Sequence, residues 1–106
     1  MLARLPQADG EAKVRPALVL RHLPPFGDLL LCGISSQLHQ AVIGFDEVLM
    51  PSSADFAESG LRVASLVRLG YLVVLPRHQI KGALGIIPPD LHRRLLQRLS
   101  DFLKPG

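Results

Sequence analysis

The chain has 106 residues, of which 48% are hydrophobic and 20% are charged. This length accommodates one domain with one core, residues 1–106, and the composition is that of a globular protein, not a disordered one. No apolar run approaches the roughly 20 residues that span a bilayer, and the start is too short and polar for a signal peptide. We therefore expect a cytoplasmic protein without membrane contact. The one cysteine, Cys32, has no internal disulfide partner and is expected in the core.

The net charge of +3 is unevenly distributed along the chain. Residues 1–61 carry four Lys and Arg against seven acids, whereas residues 62–106 carry eight against two. Such asymmetry is consistent with a polyanionic partner, because Lys and Arg neutralise phosphates. A solvated basic helix face would give the same counts, so the charge alone leaves both interpretations open.

Apolar runs separated by turn residues predict a series of short strands. These are Met1–Leu5, Val14–Leu20, Leu29–Ile34, Ala41–Phe45, Arg62–Leu75 and Gln79–Ile87. Pro6–Lys13 is predicted to be a polar loop and His22–Asp28 a turn. The long run Arg62–Leu75 is expected to bend near Gly70, and Asp46–Gly60 to form an irregular connection with a helical turn that opens at Ser53.

The last part of the chain predicts an amphipathic helix. Pro89 suits the first turn of a helix, and Asp90 suits the positive end of the helix dipole. Apolar residues then recur at helical spacing, namely Leu91, Leu95, Leu96, Leu99, Phe102 and Leu103. The opposite face carries His92, Arg93, Gln97 and Arg98. Short strands followed by one helix favour a mainly β (α+β) fold, a small barrel or half-barrel flanked by the helix.

The sequence gives little support to metal, nucleotide or serine-hydrolase chemistry. The four histidines are far apart and one cysteine cannot form a zinc cluster, so we predict no metal and no cofactor. A Gly-rich phosphate loop and a GxSxG turn are both missing from the sequence.

Two places in the chain carry candidate functional groups. Arg15 stands before Pro16 at the start of an apolar strand, where its guanidinium could bind a phosphate; it could equally form a surface ion pair with Asp9 or Glu11. The run Ser35-Ser36-Gln37 follows the strand Leu29–Ile34. Its hydroxyls and amide could bind a phosphoryl oxygen or a base edge, or simply form a turn.

These motifs together resemble the MazF/PemK toxins. The resemblance rests on VRPALVL, an apolar strand that ends in ISSQ, SGLRVASLVRL, the glycine-broken IKGALGII and the final helix, in that order, over roughly residues 3–103. It implies an SH3-like small β-barrel. It also implies a toxin that cleaves single-stranded mRNA without a metal, leaving 2′,3′-cyclic phosphate and 5′-OH ends.

The resemblance also implies site residues. The arginine of the family's Arg-Pro motif falls on Arg15 and its Ser or Thr after the next strand on Ser35, so these two are the predicted catalytic residues. By spacing from Ser65, a further family arginine falls on Arg68. We expect Ser36, Gln37, His39 and Arg68 to contact the substrate. His39 follows Ser35 by four residues, which makes it a candidate acid or base or else a solvated loop residue.

The partners follow from the resemblance as well. They are single-stranded RNA, a cognate antitoxin whose flexible tail occupies the RNA groove, and a second copy of the chain. Operator DNA is expected only through the antitoxin complex. The high apolar fraction of so short a chain also favours a homodimer. The alternative is a non-catalytic module of the same fold that binds nucleic acid or an antitoxin peptide.

Tyr71 has two interpretations. An exposed tyrosine can stack on a base of a single strand, as in many RNA-binding proteins. It can also cover the core with its ring and show its hydroxyl to water, which is the interpretation that the sequence favours.

Overall fold

The computed structural model describes residues 1–6 and 14–106, so most of the predicted loop Pro6–Lys13, with Asp9 and Glu11, lies outside the described residues. The elements in chain order are β1 (Leu2–Pro6), β2 (Val14–Leu23), β3 (Asp28–Ser35), β4 (Glu47–Leu49), α1 (Phe56–Ser59), β5 (Ser65–Leu75), β6 (Gly82–Gly85) and α2 (Pro89–Leu103). Short 3₁₀ turns lie at Leu38–Gln40 and Arg77–Gln79. Neither helix in the described ranges is long and apolar enough to cross a bilayer.

The structure confirms the predicted strands Val14–Leu20 and Leu29–Ile34, the long strand Arg62–Leu75 and the final helix. The bend in β5 is a large bulge: Cys32 of β3 pairs with Leu72, while the next residue, Gly33, pairs with Arg68. Residues 69–71 therefore have no partner on β3, and this irregularity includes Gly70, where the strand was expected to bend.

The predicted strand at Ala41–Phe45 is wrong, because this segment forms a closed turn. The backbone N–H groups of Phe45 and Asp46 both donate to the carbonyl of Val42, and Gly44 has a φ of +82°. The Asp46 carboxylate closes the turn and links it to β5. Its Oδ2 accepts the Val42 N–H at 2.9 Å, and its Oδ1 accepts the Leu69 N–H at 3.1 Å. Local hydrogen bonds to a side chain thus replace the ladder that the apolar residues predicted.

The connection Asp46–Gly60 is more ordered than expected, and the last strand is shorter. The connection contains β4, which pairs with the first three residues of β5, and α1 opens at Phe56 instead of Ser53. Of the predicted run Gln79–Ile87, only Gly82–Gly85 pairs as a strand, because Gln79 closes a 3₁₀ turn.

All pairings in the sheet are antiparallel, in the order β4-β5-β3-β2-β1-β6. The sheet is barrel-like and, among the described residues, stays open between β4 and β6. Together with the C-terminal helix, this architecture confirms the predicted mainly β fold class.

The gap between the sheet edges is bridged by α1 and the residue that follows it, Gly60. The N–H of Ile86 donates to the carbonyl of Glu58 at 2.8 Å. Two glycines permit this approach, because a Cβ on Gly85 would overlap the backbone of Glu58 and Ser59, and one on Gly60 would overlap that of Leu84. Gly60 also has a φ of +78°, which side-chain-bearing residues rarely adopt.

Apolar residues are buried on both faces of the sheet, as the near-continuous apolar sequence of β2 requires. Leu18 and Leu20 belong to the larger cluster with α2, while Ala17 and Val19 belong to a smaller one on the other face. Cys32 is fully buried in the larger cluster, as predicted. Burial and the charge of Asp46 raise the pKa of its thiol to about 12.

Helix α2 packs on the sheet through Leu91, Leu95 and Leu99, each buried. Burying a leucine side chain contributes about 1.5–3 kcal/mol, so this stripe is the main attachment of the helix. Phe102 and Leu103, predicted to share the apolar face, are instead 72% and 66% exposed, although the Phe102 ring contacts that of Phe45 at 4.9 Å between centroids.

Two residues predicted on the solvent face of α2 make tertiary contacts. His92 Nε2 donates to the Leu20 carbonyl at 2.9 Å. The guanidinium of Arg98 donates to the carbonyls of Phe45 and Asp46, at 3.1 and 3.4 Å, and to Glu47 Oε1 at 3.3 Å. These bonds tie the helix to β2 and to the turn before β4.

Candidate functional site

A groove of about 760 Å³ lies at one end of the sheet, where β2 begins, β3 ends and β5 begins. These three strand termini meet because neighbouring antiparallel strands start and finish at opposite ends. The lining residues are Arg4, Arg15, Pro16, Ile34, Ser35, Ser36, Gln37, Gly60, Leu61, Arg62, Val63, Ser65 and Leu84. The groove therefore receives residues from five strands, all except β4, and from the segments that join them.

The structure brings Arg15 and Ser35 together on one wall of this groove. Ala17 pairs with Gly33, and two further residues along each strand lead to Arg15 and Ser35. Because side chains alternate along a strand, these two side chains lie on the same face of the sheet. The Arg15 side chain is exposed and Ser35 is half-buried, so both are accessible from the groove.

Ser36 and Gln37 also line the groove, and they lie in a tight turn. Ser35 Oγ accepts the backbone N–H of Gln37 at 3.0 Å. A serine hydroxyl has one donor and two acceptor positions, so this bond leaves its O–H free to donate elsewhere. The turn thus fixes the Ser35 side chain, and the turn predicted for Ser35-Ser36-Gln37 is observed.

His39 and Arg68 do not line this groove. His39 is exposed in the 3₁₀ turn Leu38–Gln40. Arg68 pairs across the sheet with Gly33, and its guanidinium carbon lies 5.8 Å from the centroid of the Tyr71 ring. Arg68 therefore lies on the face that carries Arg15 and Ser35, next to the groove.

Sequence reasoning missed two cations of the groove, Arg4 and Arg62. Arg4 pairs with Pro16 of the Arg-Pro motif, and Arg62 precedes β5 in the segment after Gly60. The described lining thus contains three guanidinium groups and no carboxylate. No local signal marks these two residues, because only the sheet order and the closure at α1 bring them to Arg15.

The excess of positive charge in residues 62–106 contributes only Arg62 to the described lining of the groove. Four of its eight cations lie on or just beyond α2 in ion pairs: Arg93 with Asp90, Arg94 and Arg98 with Glu47, and Lys104 with Asp101. The groove instead draws Arg4 and Arg15 from the half of the chain with net negative charge. The positive charge of the groove is therefore set by which residues are neighbours in the sheet and not by which are neighbours in the sequence.

Within residues 1–6 and 14–106, no group of three or more His, Cys, Asp or Glu side chains is arranged to hold a metal ion. What the groove offers is guanidinium, hydroxyl and amide groups. Guanidinium groups bind phosphate through paired hydrogen bonds, and hydroxyl and amide groups add single donors.

The fold, a barrel-like antiparallel sheet with a C-terminal helix, has a counterpart among solved structures. It is similar to the Mycobacterium tuberculosis toxin MazF-mt6, with a TM-score of 0.65 over 95% of this chain and 94% of that one. The two sequences are 18% identical, so this similarity concerns the fold alone. No curated protein matches the sequence.

The family is established by the sequence. The model of the family described as PemK-like, MazF-like toxin of type II toxin–antitoxin system matches residues 1–103. The chain belongs to this toxin family, and the resemblance drawn from its motifs is confirmed. Membership of a type II toxin–antitoxin family implies an antitoxin as a partner.

Proposed function

We propose that this protein is an endoribonuclease toxin that cleaves single-stranded mRNA without a metal. The observation that carries the proposal is the convergence of Arg15 and Ser35 on one groove whose described lining holds three arginines and no carboxylate. A polyanion gains contacts there at every phosphate, and an RNA strand also brings its own nucleophile, the 2′-OH.

The reaction is an internal transfer. The 2′-oxygen attacks the adjacent phosphorus as its proton leaves, the bond from phosphorus to the 5′-oxygen breaks, and that oxygen takes up a proton. The products are a 2′,3′-cyclic phosphate and a 5′-OH end. Arg15 stabilises the negative charge that develops on the non-bridging oxygens, and the Ser35 O–H donates to one of them. Arg4 and Arg62 hold the flanking phosphates.

In this proposal the protons are exchanged with water. An arginine keeps its proton at physiological pH, so Arg15 serves as a charge and not as a base. The described lining offers neither an imidazole nor a carboxylate. Ser36 and Gln37 bind the substrate through their side chains, and Arg68 and His39 contact the strand beyond the groove.

The test is cleavage of single-stranded RNA in EDTA by the wild type and by Arg15→Ala and Ser35→Ala. Loss of one transition-state donor costs roughly 3–4 kcal/mol, so each variant should cleave about 10²–10³-fold more slowly. Arg21→Ala is the matched control, since Arg21 is an exposed arginine toward the other end of β2. Cyclic-phosphate ends identify the reaction. Cleavage by Arg15→Ala at the wild-type rate would refute the mechanism.

The second candidate is a non-catalytic module that binds nucleic acid or an antitoxin peptide in the same groove. It is favoured by one observation, the lack of a proton acceptor in the described lining. It predicts salt-dependent RNA binding with no cyclic-phosphate product under any condition. The EDTA assay therefore separates the two candidates.

The assembly is also part of the proposal. The groove continues across two subunits of a homodimer in the cytoplasm, and a flexible antitoxin tail competes with RNA for it. Operator DNA is contacted only through the antitoxin. Light scattering at micromolar concentration tests the dimer, and a monomer there would contradict it.

A further inference from the structure

Tyr71 does not cover the core, contrary to the interpretation that the sequence favours. Its side chain is 60% exposed, and it belongs to neither buried cluster. The ring lies instead over the backbone of Gly33, where an added Cβ would come within 2.9 Å of Tyr71 Cδ1. Because Gly33 has no side chain, the Tyr71 ring packs directly on its backbone.

Arg68 completes this small surface. It pairs with Gly33 across the sheet, and its guanidinium carbon is 5.8 Å from the centre of the Tyr71 ring. The bulge in β5 makes the contact possible, because it folds residues 69–71 back toward the pair of Gly33 and Arg68. The guanidinium lies over the ring in a cation–π contact, and aromatic rings and guanidinium planes are both groups on which the bases of single strands stack.

The surface lies one step along the strands from the groove. Gly33 precedes Ser35 by two residues, and its partner Ala17 follows Arg15 by two. Two residues of a strand extend about 6.6–6.8 Å, and both pairs share one face of the sheet. That separation is comparable to the length of one nucleotide. A strand whose phosphate rests between Arg15 and Ser35 would therefore place a neighbouring base at Tyr71.

We propose that Tyr71 is a base-stacking residue for single-stranded RNA, seated on Gly33 and flanked by Arg68. The position of the base relative to a scissile phosphate rests on the proposed function. The stacking itself requires only that the strand occupies the groove. Stacking tolerates all four bases, since each has a π face, so this subsite contributes affinity more than sequence choice.

The chain contains one tyrosine and no tryptophan, so position 71 can be observed alone. Labelling with fluorotyrosine gives one fluorine resonance from the whole protein. The ligand is a 2′-O-methyl oligonucleotide, which binds but has no free 2′-OH. We expect the resonance to shift on saturation with this oligonucleotide and to stay within its line width with inorganic polyphosphate, which carries charge without bases. Equal shifts with both ligands, or no shift with either, would overturn the proposal.

Substitutions give the affinity. Tyr71→Leu should bind the 2′-O-methyl oligonucleotide about 5- to 100-fold more weakly, and Tyr71→Phe should retain nearly the wild-type affinity. Val74→Ala is the matched control, because Val74 is 51% exposed on the same strand. The fluorine experiment uses the wild-type chain, so it decides the question even if Tyr71→Leu fails to fold.

The two proposals fail separately. If the resonance shifts only with the base-bearing ligand and the protein does not cleave RNA, the stacking proposal stands and the nuclease proposal is refuted. If the protein cleaves RNA efficiently and the resonance does not shift, the nuclease proposal stands and the stacking proposal is refuted.

Discussion

The contacts of Arg98 predict a large loss of stability on substitution. Its guanidinium bonds to two carbonyls and to Glu47, and its side chain is 26% exposed. Hydrogen bonds to charged groups contribute about 1.5–3 kcal/mol, and partial exposure lowers the share of the ion pair. We expect Arg98→Ala to lose about 2 kcal/mol. At about 4–8 °C per kcal/mol, the midpoint of thermal unfolding should fall by about 8–16 °C.

The assay is urea unfolding at one fixed protein concentration, since assembly would otherwise shift the midpoint. Arg93→Ala is the matched control: Arg93 lies on the same helix, is 76% exposed and pairs only with Asp90 in the contacts described. It should change the free energy of unfolding by less than about 0.5 kcal/mol. Arg98→Lys should lie between the two, because an ammonium lacks the planar fork. Equal midpoints for Arg98→Ala and Arg93→Ala would refute the stabilising role of the Arg98 hydrogen bonds.

Two further results are expected of the core. Leu95 is fully buried and Leu103 is 66% exposed, so Leu95→Ala should lower the free energy of unfolding by about 2.7–5 kcal/mol and Leu103→Ala by less than about 0.5 in the same urea assay. The Cys32 thiol keeps its proton to about pH 12 in the native state, whereas an unfolded thiol ionises near pH 8.5. The unfolded chain therefore loses the proton first, and stability should fall above that pH by up to about 1.4 kcal/mol per unit. Cys32→Ala should remove this part of the slope; an unchanged slope would contradict it.

The elements that the sequence predicted well are those fixed by local pattern. Val14–Leu20 and Leu29–Ile34 are apolar on both faces because the sheet is buried on both. Pro89 marks the start of α2, and Gly70 marks the bulge of β5. In each case the residue types restrict the backbone within a few positions of themselves.

The failures involve side-chain hydrogen bonds that composition and spacing do not specify. Ala41–Phe45 has the composition of a strand, but the carboxylate of the next residue, Asp46, closes it into a turn and also binds the Leu69 N–H. Arg98 has the spacing of a solvent-facing residue, yet it reaches the turn before β4. The first bond is local to the turn, whereas the partners of Arg98 lie far from it in the sequence.

The candidate site likewise contains some residues that the sequence predicted and others that it did not. Arg15 and Ser35-Ser36-Gln37 were singled out because polar groups lie there at the ends of apolar strands, and the structure places them in one groove. Arg4 and Arg62 were missed, since their approach depends on strand order. Tyr71 is exposed because its ring packs on the backbone of Gly33, and this contact across the β5 bulge cannot be predicted from the spacing of residues in the sequence.

The bridge between α1 and β6 has a consequence for how the site comes into being. Gly60 and Leu84, which meet there, are themselves part of the groove wall. β6 is held by β1, some eighty residues earlier in the chain, and pairings between such distant residues slow the folding of a domain. The part of the groove wall formed by Gly60 and Leu84 therefore depends on a long-range pairing, whereas Arg15 and Ser35 lie on β2 and β3, which follow one another in the sequence.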